Sequence, residues 1–239
     1  MTDDPRILRV AHLGTVEYQA ALALQTAMVA ARQSDQIGDT LLLLEHPHVF
    51  TLGRGADEHF ILSPRPTEVP IYRVSRGGQV TYHGPGQLIG YPILKLEGRG
   101  RDVHRYLRNL EEAMIRALAG HKIEATRRNG LTGIWVGTKK IGSIGVGIKR
   151  WTTCHGFALN VCLDLGYFSG IVPCGIDGCV MTSIEALNER KTSVDNFAPT
   201  MRSRFTEVFE YQESVTVNPA TLWQLVASNS ALKEQPRDA

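Results

Sequence analysis

Between a few helix-like segments the chain is cut by glycine into short runs rich in β-branched residues, and this irregular order limits its fold more than any other feature. One helical stripe runs from Glu17 to Arg32, with Ala21, Leu24, Met28 and Ala31 on one side. A second runs from Asp102 to Ala119, with Val103, Tyr106, Leu110, Met114 and Ala117 in line, and Gly120 is expected to stop it in a left-handed conformation. Val194 to Tyr211 makes a third, through Phe197, Met201, Phe205 and Val208, and a short helix near Leu222 to Ala227 precedes a polar tail. Strands are predicted at Ile7 to Leu13, Thr40 to Leu44, Ile71 to Ser75, Gln79 to Tyr82, Leu88 to Leu94, Gly133 to Val136, Lys140 to Lys149 and His155 to Leu163. This order lacks the regular alternation of a doubly wound sheet, so it predicts an α+β fold with a mixed or antiparallel sheet flanked by helices.

No linker, repeat or composition shift divides the 239 residues, which predicts a single domain over 1–239 with its core at about 5–215 and a mobile tail from about 231. Apolar residues make up 43% and charged residues 21%, enough to build a packed core. A net charge of +2 argues against a protein that coats nucleic acid. No apolar run approaches the roughly 20 residues that span a bilayer, and acidic residues follow Met1 where a secretory signal would be basic. The four cysteines, Cys154, Cys162, Cys174 and Cys179, fit neither a disulfide scaffold nor a Cys-x-x-Cys zinc site. A reducing cytoplasm, no membrane, no nucleic acid and no metal are the expectations.

Three segments carry the chemistry. In the first, Arg76-Gly77-Gly78-Gln79-Val80-Thr81-Tyr82-His83 and on to Gln87, paired glycines would let backbone approach a ligand beside Tyr82 and His83; a tight hairpin would use the same glycines. No phosphate-loop pattern accompanies it. The second places Ile144, Val146 and Ile148 on one strand face and Ser143, Gly145 and Gly147 on the other. The bare face either leaves a furrow for an extended apolar chain or admits a close-packed helix, while Lys139 and Lys140 read by default as solvated turn residues. The third runs from Cys154 and His155 through Gly156, Phe157 and Ala158 to Cys174, which sits between Pro173 and Gly175 in a turn that can present its thiol; an arbitrary cysteine is more often a small buried hydrophobe.

Together these segments resemble the lipoyl(octanoyl) transferase family, the octanoyl-acyl carrier protein to protein N-octanoyltransferases. The resemblance rests on Arg76 to Gln87, Lys140 with Gly142-Ser143-Ile144-Gly145, His155 to Asn160, and Pro173-Cys174-Gly175, and it extends from Leu41 to Ser183. It implies a fold of the biotin/lipoate protein ligase kind and two-step acyl transfer. By this resemblance Cys174 takes an octanoyl group from acyl carrier protein as a covalent thioester, and Lys140 favours its thiolate. The acceptors would be lysines on lipoyl domains of 2-oxoacid dehydrogenase complexes and on the glycine cleavage H protein. Substrate-binding stretches fall on Arg76 to His83, Ser143, Ile144 and Gly145, and Gly156, Phe157 and Ala158. Neither ATP nor metal is implied, because the donor thioester is already activated.

Physics accommodates these roles. A free thiol is only about 3% thiolate at pH 7, and a neighbouring cation could make it half ionised, a gain of roughly fifteenfold. Most of the acceleration would come from positioning and from oxyanion donors, for which the backbone around Gly77 and Gly175 is a candidate. The octanoyl chain needs an apolar slot, expected between the bare strand face and Tyr82, Phe157 and Leu159. Arg101, Arg105, Arg108, Arg116, Lys122, Arg127 and Arg128 could dock an acidic carrier or be a solvated face. The rivals are an ATP-dependent lipoate or biotin ligase on the same scaffold, and a non-catalytic binder of lipoyl domains.

Overall fold

A computed structural model describes residues 6–96 and 101–234. In chain order the elements are β1 (Ile7–Thr15), α1 (Tyr18–Gln33), β2 (Thr40–Glu45), β3 (Val49–Leu52), β4 (Ile71–Arg73), β5 (Val80–His83), β6 (Gln87–Ile93), α2 (Val103–Ala119), β7 (Thr126–Arg128), β8 (Leu131–Val136), β9 (Lys139–Lys149), β10 (Thr152–Asn160), α3 (Ile184–Asn188), α4 (Val194–Val208), β11 (Glu213–Thr216) and α5 (Pro219–Glu234). Eight strands form a mixed sheet in the order β11-β1-β2-β6-β10-β9-β8-β7, and a three-stranded sheet, β4-β3-β5, stands beside it. Only β1 is flanked by parallel neighbours, β2 and β11; the rest of the large sheet is antiparallel.

Both faces of the large sheet are covered, which explains why β2 is apolar at successive positions rather than alternating. Leu41 and Leu43 pack with Leu110 and Met114 of α2 and with Phe197, Met201 and Phe205 of α4. Leu42 and Leu44 turn the other way, onto Ala21, Leu24 and Met28 of α1 and Leu222 of α5. The helices start where the sequence supplies acceptors: the Asp102 carboxylate accepts from the Arg105 N–H, and Ser183 and Ser193 cap α3 and α4.

Several expectations need correction. Gly120 is right-handed (φ −60°), and the left-handed residue after α2 is Lys122. The helix from Val194 ends at Val208, because Glu210 turns left-handed and the chain enters β11. The last helix, expected over Leu222 to Ala227, runs from Pro219 to Glu234, through the point where a mobile tail was expected to begin; 235–239 lie outside the described residues. Strands β3, β7 and β11 were not anticipated, and the single expected sheet is two. The three are short, and β3, buried at every position, offers no alternation to read.

Candidate active site

The two sheets face each other across a cavity of about 200 Å3. One end of it is built by three segments that meet. Lys140, at the start of β9, is clamped by its backbone: its N–H donates to the Val180 carbonyl (2.8 Å) and its carbonyl accepts from Thr182 (2.9 Å). Side-chain alternation then sends Lys139 to solvent and Lys140 inward, where it is only 1% exposed. The default reading of Lys140 as a solvated turn lysine is thereby overturned. Its Nζ donates to the Thr132 carbonyl (3.2 Å) and to the Cys174 Sγ (3.2 Å), and lies 4.8 Å from the centroid of the Trp135 ring.

Cys174 occupies a turn whose residues are constrained one by one. Pro173 fixes the entry, Cys174 is itself left-handed (φ 58°), and Gly175 follows at φ 66°. A left-handed cysteine is strained by about 1–2 kcal/mol, and such strain persists only where surrounding contacts over-determine it. Here the Val172 N–H donates to the Phe60 carbonyl and the Gly175 N–H to the Val172 carbonyl, so the turn is held at both ends. The Ser143 Oγ lies 3.8 Å from the sulfur on the other side.

The glycine-rich loop before β5 is organised by Arg76, which is 7% exposed. Its Nη1 donates to the carbonyls of Gly77 and Gln79 and its Nη2 to the Thr51 carbonyl and Oγ1, all within 3.0 Å. The Gly77 N–H donates to the Val146 carbonyl (2.9 Å), docking the loop along the part of β9 that β8 leaves open. A Cβ on Gly145 would lie 2.9 Å from the Arg76 Cδ. Neither an open furrow nor a helix therefore covers the bare face around Gly145; the Arg76 loop does, and the slot runs beside it.

At the far end Tyr18, Tyr91, His83 and His155 converge. The Thr51 hydroxyl, which accepts from Arg76, reaches the His83 Nε2 (3.4 Å); the His83 Nδ1–H donates to the Gln87 Oε1 (2.7 Å), and the Gln87 Nε2 donates to the Asn160 Oδ1 (3.0 Å). Burial first, and the neighbouring His46, hold His83 neutral, its pKa pushed down to about 3. Burial takes His46 and His155 down to about 4 and Tyr18 up to about 12. His46 is fixed by the Val16 carbonyl (2.6 Å) and the Tyr91 hydroxyl (2.7 Å).

Most of the residues singled out in the sequence line this cavity: Arg76, Gly78, Gln79, Val80, Thr81, His83, Lys140, Ser143, Ile144, Gly145, Gly156, Phe157, Ala158 and Cys174. Two do not. Gly77 serves the loop's attachment, and Tyr82 points into the core of the smaller sheet, bonded to His48 (2.6 Å) and stacked on Tyr167 (centroids 4.9 Å apart). Leu159, expected beside the slot, belongs to the α2 and α4 core. In the turns around Gly77 and Gly175, expected to offer oxyanion donors, the Gly77 and Gly175 N–H groups themselves are bonded to backbone carbonyls, which leaves that role to their neighbours in the same turns. In the expected docking surface, Arg108, Arg116 and Arg127 are engaged by Glu111, Glu112 and Glu207, which removes much of their free charge. Tyr18, Tyr91, Thr132, His155 and Ile176 line the cavity without having been named as site residues. They come from separated segments, and the motifs gave a signal only for His155 and Ile176.

This two-sheet fold is that of the lipoyl protein ligase A/B catalytic domain class, whose family model matches residues 17–206. Within that class the chain belongs to the octanoyltransferase family and is an acyltransferase: it is 46% identical over 198 residues to the octanoyltransferase of Geobacter metallireducens (83% of this chain, 92% of that protein) and 48% identical over 199 residues to that of Rhodospirillum rubrum (81% and 91%). The fold is also that of a bi-partite lipoate protein ligase from Thermoplasma acidophilum (TM-score 0.69, 16% identity, 93% and 91% covered) and of a lipoate-protein ligase A bound with ATP (TM-score 0.69, 17% identity, 92% of each chain). Among the described residues no helix is long and apolar enough to cross a membrane, and no three His, Cys, Asp or Glu side chains gather as a metal site.

Proposed function

We propose that the protein transfers an octanoyl group from acyl carrier protein to a lysine of a lipoyl domain through a thioester on Cys174. The observation that carries this reading is the 3.2 Å contact between the Lys140 Nζ and the Cys174 Sγ at the end of an apolar slot. A buried ammonium needs a counter-charge. No carboxylate bonds to Lys140 among the described contacts; its polar partners are a carbonyl and the Cys174 sulfur, which in this reading would supply the counter-charge.

In the first half-reaction the thiolate attacks the donor thioester carbonyl, the new C–S bond forms, the old one breaks, and the carrier's thiol leaves carrying a proton given up by the Lys140 ammonium, which is thereby neutral. Acylation removes the charge from sulfur, and Lys140 is left with only the Thr132 carbonyl and the face of Trp135. It can then take the proton released when the substrate amine attacks, while the C–N bond forms and the Cys174 thiolate departs to pair with the ammonium again. The slot between the Arg76 loop and β9–β10 would hold the acyl chain. The donor thioester supplies the activation, so neither ATP nor a metal ion enters either step.

Intact mass measurement after incubation with octanoyl-acyl carrier protein, without ATP, tests this. The expected result is a gain of one octanoyl group, absent in Cys174→Ala, followed by its appearance on an added lipoyl domain. Transfer that requires ATP and survives Cys174→Ala would establish the ligase reading instead.

A further inference from the structure

Among the described residues His155 alone lines both the acyl slot and a second cavity of about 410 Å3, cut between α1 and the far end of the β9–β10 hairpin. Leu22, Val29 and Ala30 of α1, with Ile148 and Cys154 of the hairpin, give this second cavity its apolar lining, and Arg54 stands at its edge. We propose that His155 is the end wall of the acyl slot, setting the length of chain the enzyme accepts, and that the cavity behind it is closed to the acyl chain only by this ring. The proposal rests on the acyl-transfer reading and deepens it.

The strand register supplies the ruler. Ser143, beside the reactive sulfur, pairs with Ala158, and Val146 pairs with His155. Three residues of extended strand span about 10 Å. That distance matches an extended eight-carbon chain, and Cys174 and His155 line the same slot, so an acyl group on Cys174 that follows the slot would reach the imidazole with its last carbon. The ring suits a wall: it is 3% exposed and neutral, and its Nε2 lies 3.3 Å from the Ser75 Oγ while Nδ1 has no partner among the described contacts. One weak tether holds it, and no network would be broken by shortening it. The backbone at 155 is left-handed (φ 54°), a conformation that asparagine and glycine adopt readily.

Two measurements on the full chain test the wall. Binding of saturated fatty acids of six to twelve carbons should tighten about fourfold per methylene, the value of burying one CH2, and then stop within the series. In His155→Asn and His155→Gly the stopping point should move by at least two carbons, and the ratio of decanoyl to octanoyl loading on Cys174 from carrier thioesters should rise at least tenfold. Adding Ala30→Phe, which refills the second cavity, should return the ratio toward its original value. Affinity that climbs through twelve carbons in the unmodified protein, or an unchanged ratio in variants that still load octanoate, overturns the proposal. If neither variant melts cooperatively, the fatty-acid series on the unmodified protein decides alone. Failure of the unmodified protein to load octanoate at all would overturn the transfer reading, and the fatty-acid series would still judge the wall.

Discussion

The two ends of the slot solve opposite problems with the same kinds of residue. At the histidine end, His46 and His83 are each fixed at both ring nitrogens, and burial keeps them uncharged. At the thiol end, a buried lysine and a left-handed cysteine have each other and little else. Polar groups that are fully partnered add rigidity, whereas groups left to balance one another across 3.2 Å retain reactivity. The histidine end should therefore govern stability and the thiol end chemistry.

Acidification is the strongest way to break the histidine end. His46, His83 and His155 have ordinary values of 6.5 when unfolded and are lowered to about 4, 3 and 4 in the folded chain. Between about pH 6.5 and 4 the unfolded chain binds protons that the folded chain refuses. The contribution is intact above pH 6.5, and each histidine then removes roughly 1.4 kcal/mol of stability per pH unit as the pH falls. Denaturant midpoints measured from pH 7.5 to 4.5 should drop steeply below 6.5, and His83→Gln should flatten the slope. A flat profile would show that these rings are not held neutral.

Lys140→Met probes the other end and should separate chemistry from folding. Removing the ammonium should slow octanoyl loading of Cys174 by roughly fifteenfold or more, through loss of the thiolate's counter-ion, and transfer to the lipoyl domain by more, through loss of the base as well. Stability should stay level, because the sulfur left without the ammonium takes up a proton and an apolar side chain of similar length fills the lysine's place. Loading rates by intact mass and melting curves on the same sample check both halves. A variant that unfolds, or one that still loads at the original rate, would erase the distinction between the two ends.

This contrast also marks how far the sequence could be read. Pro173 and Gly175 marked Cys174 as sitting in a turn that can present its thiol, but its role was legible only through the family resemblance, and the glycine-rich loop was likewise ambiguous from local signals alone. The α+β class followed from the irregular order of strands and helices, while β3 and β11 were too short to declare themselves. The burial of Lys140 was invisible to its neighbours in sequence, because it depends on the Val180–Thr182 segment crossing the start of β9. Tyr82 was misplaced for a related reason: two faces of β5 were both plausible until the smaller sheet's core, with His48 and Tyr167, claimed one. The histidine end was the least legible, since its rings come from α1, β5, β6 and β10 and only the fold assembles them.

The smallest expected effect isolates strain at the thiol end. Cys174→Ala and Cys174→Gly both remove the sulfur, so neither should form the acyl-enzyme, and both leave Lys140 without its counter-charge. They differ in backbone. Alanine must occupy φ 58°, where its Cβ crowds the following carbonyl, while glycine adopts that conformation freely but has more freedom to lose from the unfolded chain. The first effect is about 1–2 kcal/mol and the second about 0.4–1 kcal/mol, so the difference spans about 0–1.6 kcal/mol in favour of the glycine variant, centred near 1 kcal/mol. In a chain of this size that is a rise of roughly 2–4 °C in melting temperature over the alanine variant. Equal melting temperatures would mean that the turn relaxes when the sulfur is removed, and that the left-handed cysteine is held in place by Lys140 rather than by Pro173 and Gly175.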